Sequence, residues 1–333
     1  MQWQEENVAT MRTKQALLLL VLSLLASVVA NAQDGVETIR IESDLVELRV
    51  SVLGAAAATP EILDRKDFKI LEDGNPQEIT FFAAADEPFD LVLLLDLSGS
   101  NSKKMKLIRK SAKKFVDATR PTDRIALVAF TNQPALYSTF TLDRKMLKKS
   151  IDDMDDPSGG TNFWDSLDYV VSDLIPKAGN SRRSAVVVMT DGVDNALPDV
   201  QGPGSRISYE KLLEHVRDSD SIVFPIYLDT EEENVKHHGT PREAYELARL
   251  QLATIASTCG TTMYRAAKVE DLEQLYTKVV RDLSTVYSIG YSPSNRSLDG
   301  KWRSVDVQLI NRPELSARTK RGYFAKSQSQ PTP

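Results

Sequence analysis

Four short runs that are apolar at almost every position restrict this chain more than any other feature. They are Leu91-Val92-Leu93-Leu94-Leu95, Ile125–Phe130, Ala185–Met189 and Ile222–Leu228. A strand with one wet face alternates apolar and polar residues, whereas a run without alternation fits a strand covered on both faces. Between and after the runs lie helical patterns, at Lys103–Ala118, Leu142–Met154, Phe163–Ile175, Tyr209–Asp218, Pro241–Ser257 and Val269–Val286. Strand, helix, strand at this spacing requires crossover connections. The expected fold over about 88–286 is therefore α/β, a doubly wound, mainly parallel sheet with helices on both faces. Leu136–Phe140, between a strand and a helix, fits an antiparallel edge strand.

The flanks have a different period. Thr38-Ile39-Arg40-Ile41 and Val46–Val52 alternate as half-buried strands do. Phe68–Leu71, a turn at Asp73–Pro76 and a return strand at Gln77–Phe82 predict a hairpin. Ala55–Ala58 fits a bland loop. Beyond the last helix, Tyr287–Tyr291, Ser304–Leu309 and Ala317–Gly322 are strand candidates. Neither β segment alone is large enough for a core. We expect 36–86 and 287–324 to pair into one β-sandwich module, followed by a disordered tail over 325–333.

The N-terminus predicts export. Arg12 and Lys14 precede an uncharged run from Gln15 to Gln33, closed by Ala30-Asn31-Ala32, so residues 1–32 are expected to be a signal peptide cut after Ala32. Met11 is an alternative start, and an uncleaved anchor is the alternative to cleavage. No second long apolar run follows, so no stable membrane span is expected after cleavage, and the protein is expected in the periplasm or secreted. Acids outnumber bases 47 to 41, a formal charge of −6, which argues against a broadly basic nucleic-acid binder. One cysteine, Cys259, excludes an intramolecular disulfide and is expected as a buried thiol. Only His215, His237 and His238 are available for an imidazole site.

Three polar stretches stand just beyond apolar or glycine-marked turns: Asp96-Leu97-Ser98-Gly99-Ser100, Ser158-Gly159-Gly160-Thr161-Asn162 and Thr190-Asp191-Gly192-Val193-Asp194. In a doubly wound sheet, loops at the carboxyl ends of strands converge where strand order reverses. Asp96, Ser98, Ser100, Thr161 and Asp191 are thus candidates for one cluster. Two carboxylates and three hydroxyls, without sulfur or imidazole, suit a hard cation: Mg²⁺ first, Mn²⁺ or Ca²⁺ as alternatives. Two acids neutralise a divalent ion and leave it electrophilic toward a carboxylate from outside. Asn101, Asn162, Lys103 and Lys104, beside these loops, are candidates for partner contact.

These three stretches, in this order, resemble the metal-ion-dependent adhesion site of von Willebrand factor type A domains. The resemblance covers about residues 88–286. It implies that Asp96, Ser98 and Ser100 coordinate the metal directly or through water, with Thr161 and Asp191 completing the shell. The flanks are similar to an exported bacterial subgroup described from acidobacteria, the VWFA-related proteins. Asp67-Phe68 with Glu72–Ile79, Tyr287–Tyr291 and Arg321-Gly322-Tyr323-Phe324 carry that likeness.

Other chemistries fit less well. A phosphatase with an Asp nucleophile would want a second Asp where Ser98 stands, and a serine hydrolase would want Gly-x-Ser-x-Gly and a histidine. The basic run Lys103, Lys104, Lys106, Arg109, Lys110, Lys113 and Lys114 reads as a solvated helix face, with a docking surface for acidic partners as the alternative. Met105, Ile108, Ala112, Phe115 and Val116 form its buried stripe. Glu231–Glu233 and His237-His238 are expected in an exposed loop, with a transition-metal site as the alternative; Trp164 in a helix core, with recognition at the rim as the alternative; and Asp194 and Asn195 as loop polar residues, with a place behind the metal ligands as the alternative. The sequence as a whole predicts no enzyme. It predicts an exported Rossmann-like module that binds a protein partner through a divalent cation coordinated by the partner's Asp or Glu. A metal-stabilised envelope scaffold and a metal-dependent phosphohydrolase are the alternatives.

Overall fold

The computed structural model describes residues 45–54, 63–179, 182–237 and 239–327, apart from the side chains of 102, 103 and 237. The signal peptide, the Thr38–Ile41 strand, the Ala55–Ala58 loop and the end of the tail lie outside the described residues. Contacts divide the chain between Ser43 and Asp44, and every described residue belongs to the second unit.

That unit begins with β1 (Val46–Gly54), β2 (Phe68–Glu72), β3 (Asn75–Gln77) and β4 (Ile79–Ala83). The alternating section follows with β5 (Phe89–Asp96), α1 (Met105–Ala118), β6 (Arg124–Phe130), β7 (Pro134–Thr141), α2 (Arg144–Asp152) and α3 (Phe163–Tyr169). It continues with β8 (Arg183–Thr190), α4 (Tyr209–Asp218), β9 (Ile222–Leu228), α5 (Glu231–His237), α6 (Arg242–Thr258), β10 (Tyr264–Ala266) and α7 (Leu272–Leu283). Last come β11 (Val286–Tyr291), β12 (Trp302–Leu309), β13 (Leu315–Arg318) and β14 (Gly322–Phe324). Among the described residues, no helix is long and apolar enough to cross a membrane.

The central sheet has the order β10-β9-β8-β5-β6-β7. Its strands run parallel except β7, the antiparallel edge strand expected from Leu136–Phe140. The apolar runs are its interior: all eight residues of β5 are buried, and Leu91 through Leu95 expose nothing. Helices cover both faces, as the amphipathic stripe of α1 shows by burying Met105, Ile108, Ala112, Phe115 and Val116. Trp164 and Cys259 are buried in the same core, as expected. The chain leaves β5 for β6 on one side and later returns to β8 on the other. The strand order therefore reverses at β5, and the crevice opens beyond the carboxyl ends of β5 and β8.

Two four-stranded sheets, β13-β1-β11-β4 and β14-β12-β2-β3, share a second core that includes Leu48, Val50, Phe68, Ile70, Tyr287 and Ile289. Each contains strands from before and after the α/β section: β1 pairs with β11, and β2 with β12. Buried Glu72 is satisfied there by the hydroxyls of Tyr291 and Tyr323, at 2.7 and 2.8 Å.

Two local expectations need correction. Gln77–Phe82 is not one return strand. Only β3 pairs with β2, and after Glu78 the chain crosses to the other sheet, where β4 pairs with β11. Pro76, which has no N–H to offer a further strand, sits in β3 at the sheet edge. Glu231–Glu233 do not lie in a loop but open α5, where acidic residues complement the helix dipole. His238 and the His237 side chain lie outside the described residues.

Candidate metal centre

Asp96 is the last residue of β5, and Asp191 follows the last residue of the neighbouring β8. Leu95 pairs with Met189, so the two aspartates leave the sheet side by side, although they are far apart in the chain. Asp96 is wholly buried and Asp191 is 3% exposed. After Asp96 the backbone turns at once: Asp96 Oδ1 accepts the Ser98 N–H at 2.8 Å, and a 3₁₀ turn at Gly99–Lys104 leads into α1. That turn brings Ser98 Oγ within 3.0 Å of Ser100 Oγ, and Ser100 Oγ donates to Asp191 Oδ2 at 3.4 Å. Four of the five expected site residues are thus joined by direct contacts.

Thr161 comes from the glycine-rich loop. Gly99 N–H donates to Gly159 O at 3.2 Å and Ser158 N–H to Leu97 O at 2.9 Å, which ties that loop to the serine turn. Asn195 holds Thr161 itself: its Oδ1 accepts the Thr161 N–H at 3.1 Å, and its own N–H donates to Thr161 O at 2.9 Å. Asn132 Oδ1 accepts the Gly160 N–H at 2.9 Å. A Cβ at 160 would lie 2.4 Å from Asn195 Nδ2 and 2.7 Å from Asn132 Oδ1, so both asparagines would have to shift from the bonds they make to this loop. Gly160→Ala is expected to cost about 1–3 kcal/mol, the usual effect of overpacking, measured by urea denaturation. Gly192, after Asp191, has φ +71° and no room for a Cβ beside Leu252, so it fixes the other sharp turn.

The electrostatics of the pair are unfavourable as they stand. Burial, then repulsion from Asp191, pushes the Asp96 carboxyl up to about 7. Burial likewise raises Asp191, against hydrogen bonds from Thr230 and Val193 and the nearby charge of Lys104. Two acids held where neither ionises easily are a site that a cation would relieve. The donors fit a hard cation, being carboxylate and hydroxyl oxygens. Among the described residues no group of three or more His, Cys, Asp or Glu gathers for a metal, so hydroxyls must complete the set.

The expected partner contacts fare differently. Asn101 is wholly buried, and its Nδ2 donates to Asp96 O at 3.1 Å, so it braces the site and offers no surface. Asn162 is 4% exposed; its Nδ2 donates to Gly204 O, and its carbonyl receives Ser166 Oγ at 2.6 Å. Asn101 lies within the 3₁₀ turn that follows Ser98, and Asn162 immediately precedes α3. The side chain of Lys103 lies outside the described residues. Lys104 stands at the rim, its Nζ 2.8 Å from Glu233 Oε2 and 3.4 Å from Ser100 O.

Thr190 and Thr230 support the site and were not among its expected residues, whereas Asp194 was expected as a loop polar residue. Thr190 Oγ1 donates to Asp96 Oδ2, and Thr230 Oγ1 to Asp191 Oδ2, each at 2.6 Å. Each stands at or just past the carboxyl end of a parallel strand, β8 and β9, and that position was the available signal. Asp194 is buried and accepts the N–H groups of Trp164, Ala196 and Ser205, closing the loop behind Thr161.

Comparison with known proteins gives a family match: the von Willebrand factor type A domain model matches residues 90–278. No curated protein matches the sequence. Among solved structures, the vWF domain of the type V pili tip protein Mfa5 from Porphyromonas gingivalis is 14% identical, with TM-score 0.44, covering 59% of this chain and 94% of that one. A von Willebrand factor type A protein from Catenulispora acidiphila is 12% identical, with TM-score 0.47, covering 80% of this chain and 65% of that one. Proximal thread matrix protein 1 from the mussel byssus, with a zinc-occupied MIDAS motif, is 18% identical, with TM-score 0.46, covering 61% of this chain and 47% of that one.

Proposed function

Because the chain belongs to the von Willebrand factor type A domain family, whose domains are in general interaction modules and not enzymes, we propose that it binds a protein partner through a divalent cation. Asp96, Ser98, Ser100, Thr161 and Asp191 would hold the ion, directly or through water. The partner would supply an Asp or Glu carboxylate. Mg²⁺ is the first choice on the all-oxygen donor set, with Mn²⁺ and Ca²⁺ close behind. When bound, the ion supplies positive charge to an incoming carboxylate. The chain's own task is to hold five oxygen-bearing side chains at one crevice and to keep both acids buried enough to need it. Export, on the leader pattern alone, places this binding outside the cytoplasm.

The observation that carries the proposal is the buried Asp96–Asp191 pair, raised in pKa and bordered by two serine hydroxyls. An acid pair serving only the fold would be expected to find cationic partners, and the nearby ammonium, Lys104, is turned to Glu233. The test is calorimetric titration of Mg²⁺ and Mn²⁺ into the wild type, Asp96→Ala and Asp191→Ala, with capture of partners from envelope and medium in Mg²⁺ or EDTA. Heat of binding and captured partner should both vanish in either variant and in EDTA. A partner retained in EDTA would overturn the reading.

A further inference from the structure

The basic run of α1 does not simply point into solvent. Lys106, Arg109, Lys110 and Lys113 recur at helical spacing on the side away from the buried stripe, and with α2 they line a groove of about 630 Å³. Six basic side chains line it against three aspartates, in a chain whose net charge is −6. The aspartates are engaged: Asp117 with Lys148, Asp152 with Lys113 and Asp156 with Arg109. Lys114 reaches Glu273 at 3.6 Å. Lys106 and Lys110 are exposed and make no ion pair among the described residues. Met105, which lines the groove, begins the helix that the serine turn Gly99–Lys104 leads into, so groove and metal crevice belong to consecutive segments of the chain.

We propose that this groove takes an extended acidic segment of the same partner whose carboxylate reaches the crevice; the assignment rests on the metal reading above. From Lys106 to Asp117 the helix rises about 16 Å, the length of about five extended residues. Charge selects the occupant. A uniformly charged nucleic-acid backbone would meet the three aspartates as it tracked the groove, whereas an acidic peptide can set its side chains against Lys106 and Lys110 and turn amides toward the aspartates. Lys106 and Lys110 thus become specificity-determining residues outside the metal shell.

The test uses two fluorescein-labelled peptides, Gly-Asp-Gly followed by five Glu or by five Ser, each in both chain directions, measured by anisotropy with Mg²⁺ on the full chain. In low salt the Glu peptide should bind about tenfold more tightly than the Ser peptide, with the advantage shrinking as salt screens it. Lys106→Glu with Lys110→Glu should remove the advantage, leave the Ser peptide unchanged and leave the thermal melt unchanged, because neither lysine is buried or paired. Equal affinity for the two peptides, an advantage that survives the double substitution, or equally tight binding of an oligothymidine of the same charge would overturn the proposal. EDTA should weaken both peptides. If EDTA changes neither while the lysine variant still loses the Glu peptide, the metal reading fails and the groove stands; the opposite pattern removes the groove and keeps the metal.

Discussion

Asp96→Asn is expected to stabilise the metal-free protein at pH 8 and to abolish its response to Mg²⁺. In EDTA the wild type carries two buried carboxylates, and Asp96 ionises only near pH 7 because burial and Asp191 oppose its charge. Its ordinary value is 3.8, so between about pH 4 and pH 7 the folded state keeps a proton that the unfolded chain has released. Stability must then fall as pH rises through that window, and the penalty is complete above it. From 3.8 to about 7, at 1.36 kcal/mol per pKa unit, the penalty is on the order of 4 kcal/mol. Asparagine removes the charge and keeps the bonds. Its oxygen can accept from Ser98 N–H, and its amide can face Thr190 Oγ1, which already accepts from Gly192 N–H and can turn its proton away. Mg²⁺ narrows the gap. An ion at a hundredfold excess over its dissociation constant stabilises the wild type by about 2.7 kcal/mol, a rise of several degrees in Tm. The variant should gain nothing. Below pH 6, protons compete for the carboxylates and the Mg²⁺ effect in the wild type should shrink. Differential scanning calorimetry from pH 4 to 8, in EDTA and in Mg²⁺, reads all of this. A variant less stable than wild type in EDTA at pH 8, or still stabilised by Mg²⁺, would show that the pair is not held against its own repulsion for a cation.

The central sheet was legible because it is buried on both faces, and burial on both faces writes itself into the chain as runs such as Leu91–Leu95 without alternation. Asp96 and Asp191 were legible for a related reason: each ends such a run, and adjacent parallel strands bring those ends together. Residues that support the site were harder to see. Thr230 follows a buried strand as Asp191 does, but a lone threonine there has many structural uses. Asn195 acts through backbone groups of Thr161, a residue 34 positions away, so no local pattern marks it. Asn101 and Asn162 look like surface asparagines in the sequence. Their burial follows from how the first turns after Ser98 and Thr161 pack down, which is a tertiary fact. The split of Gln77–Phe82 between two sheets was hidden for the same reason, since a change of pairing partner at Glu78 leaves no mark in the local pattern.

Arg183→Ala is expected to destabilise the protein by about 3 kcal/mol, because buried carbonyls lose a charged donor at a site that water reaches poorly. Arg183 is 3% exposed at the start of β8. Its guanidinium donates to Val286 O, to Ala85 O at 3.1 Å and to Glu87 O, and stands 4.1 Å from the centroid of the Phe89 ring. Those carbonyls lie where the chain passes between sandwich and central sheet, at 85–87 before β5 and at the first residue of β11. Burial, then Arg120, lowers its pKa to about 10, so it stays charged at neutral pH. A buried charge without an acidic partner is ordinarily costly; here carbonyl dipoles and the ring face offset it. Arg120 shares the load, donating to Ala85 O and Glu87 O at 3.1 Å each. Arg120→Ala alone should therefore cost under about 1 kcal/mol, and the double variant more than the sum, since each arginine covers carbonyls the other leaves. Arg183→Lys should recover little, because one ammonium cannot span three carbonyls on two chain segments. Mg²⁺ stabilisation should persist in every variant that folds, because the latch lies at the opposite end of β5 from Asp96, about 23 Å away along the strand. Urea denaturation of the wild type and the four variants with and without Mg²⁺ decides the matter. An Arg183→Ala protein as stable as wild type would mean that the two hydrophobic cores hold the junction without the latch.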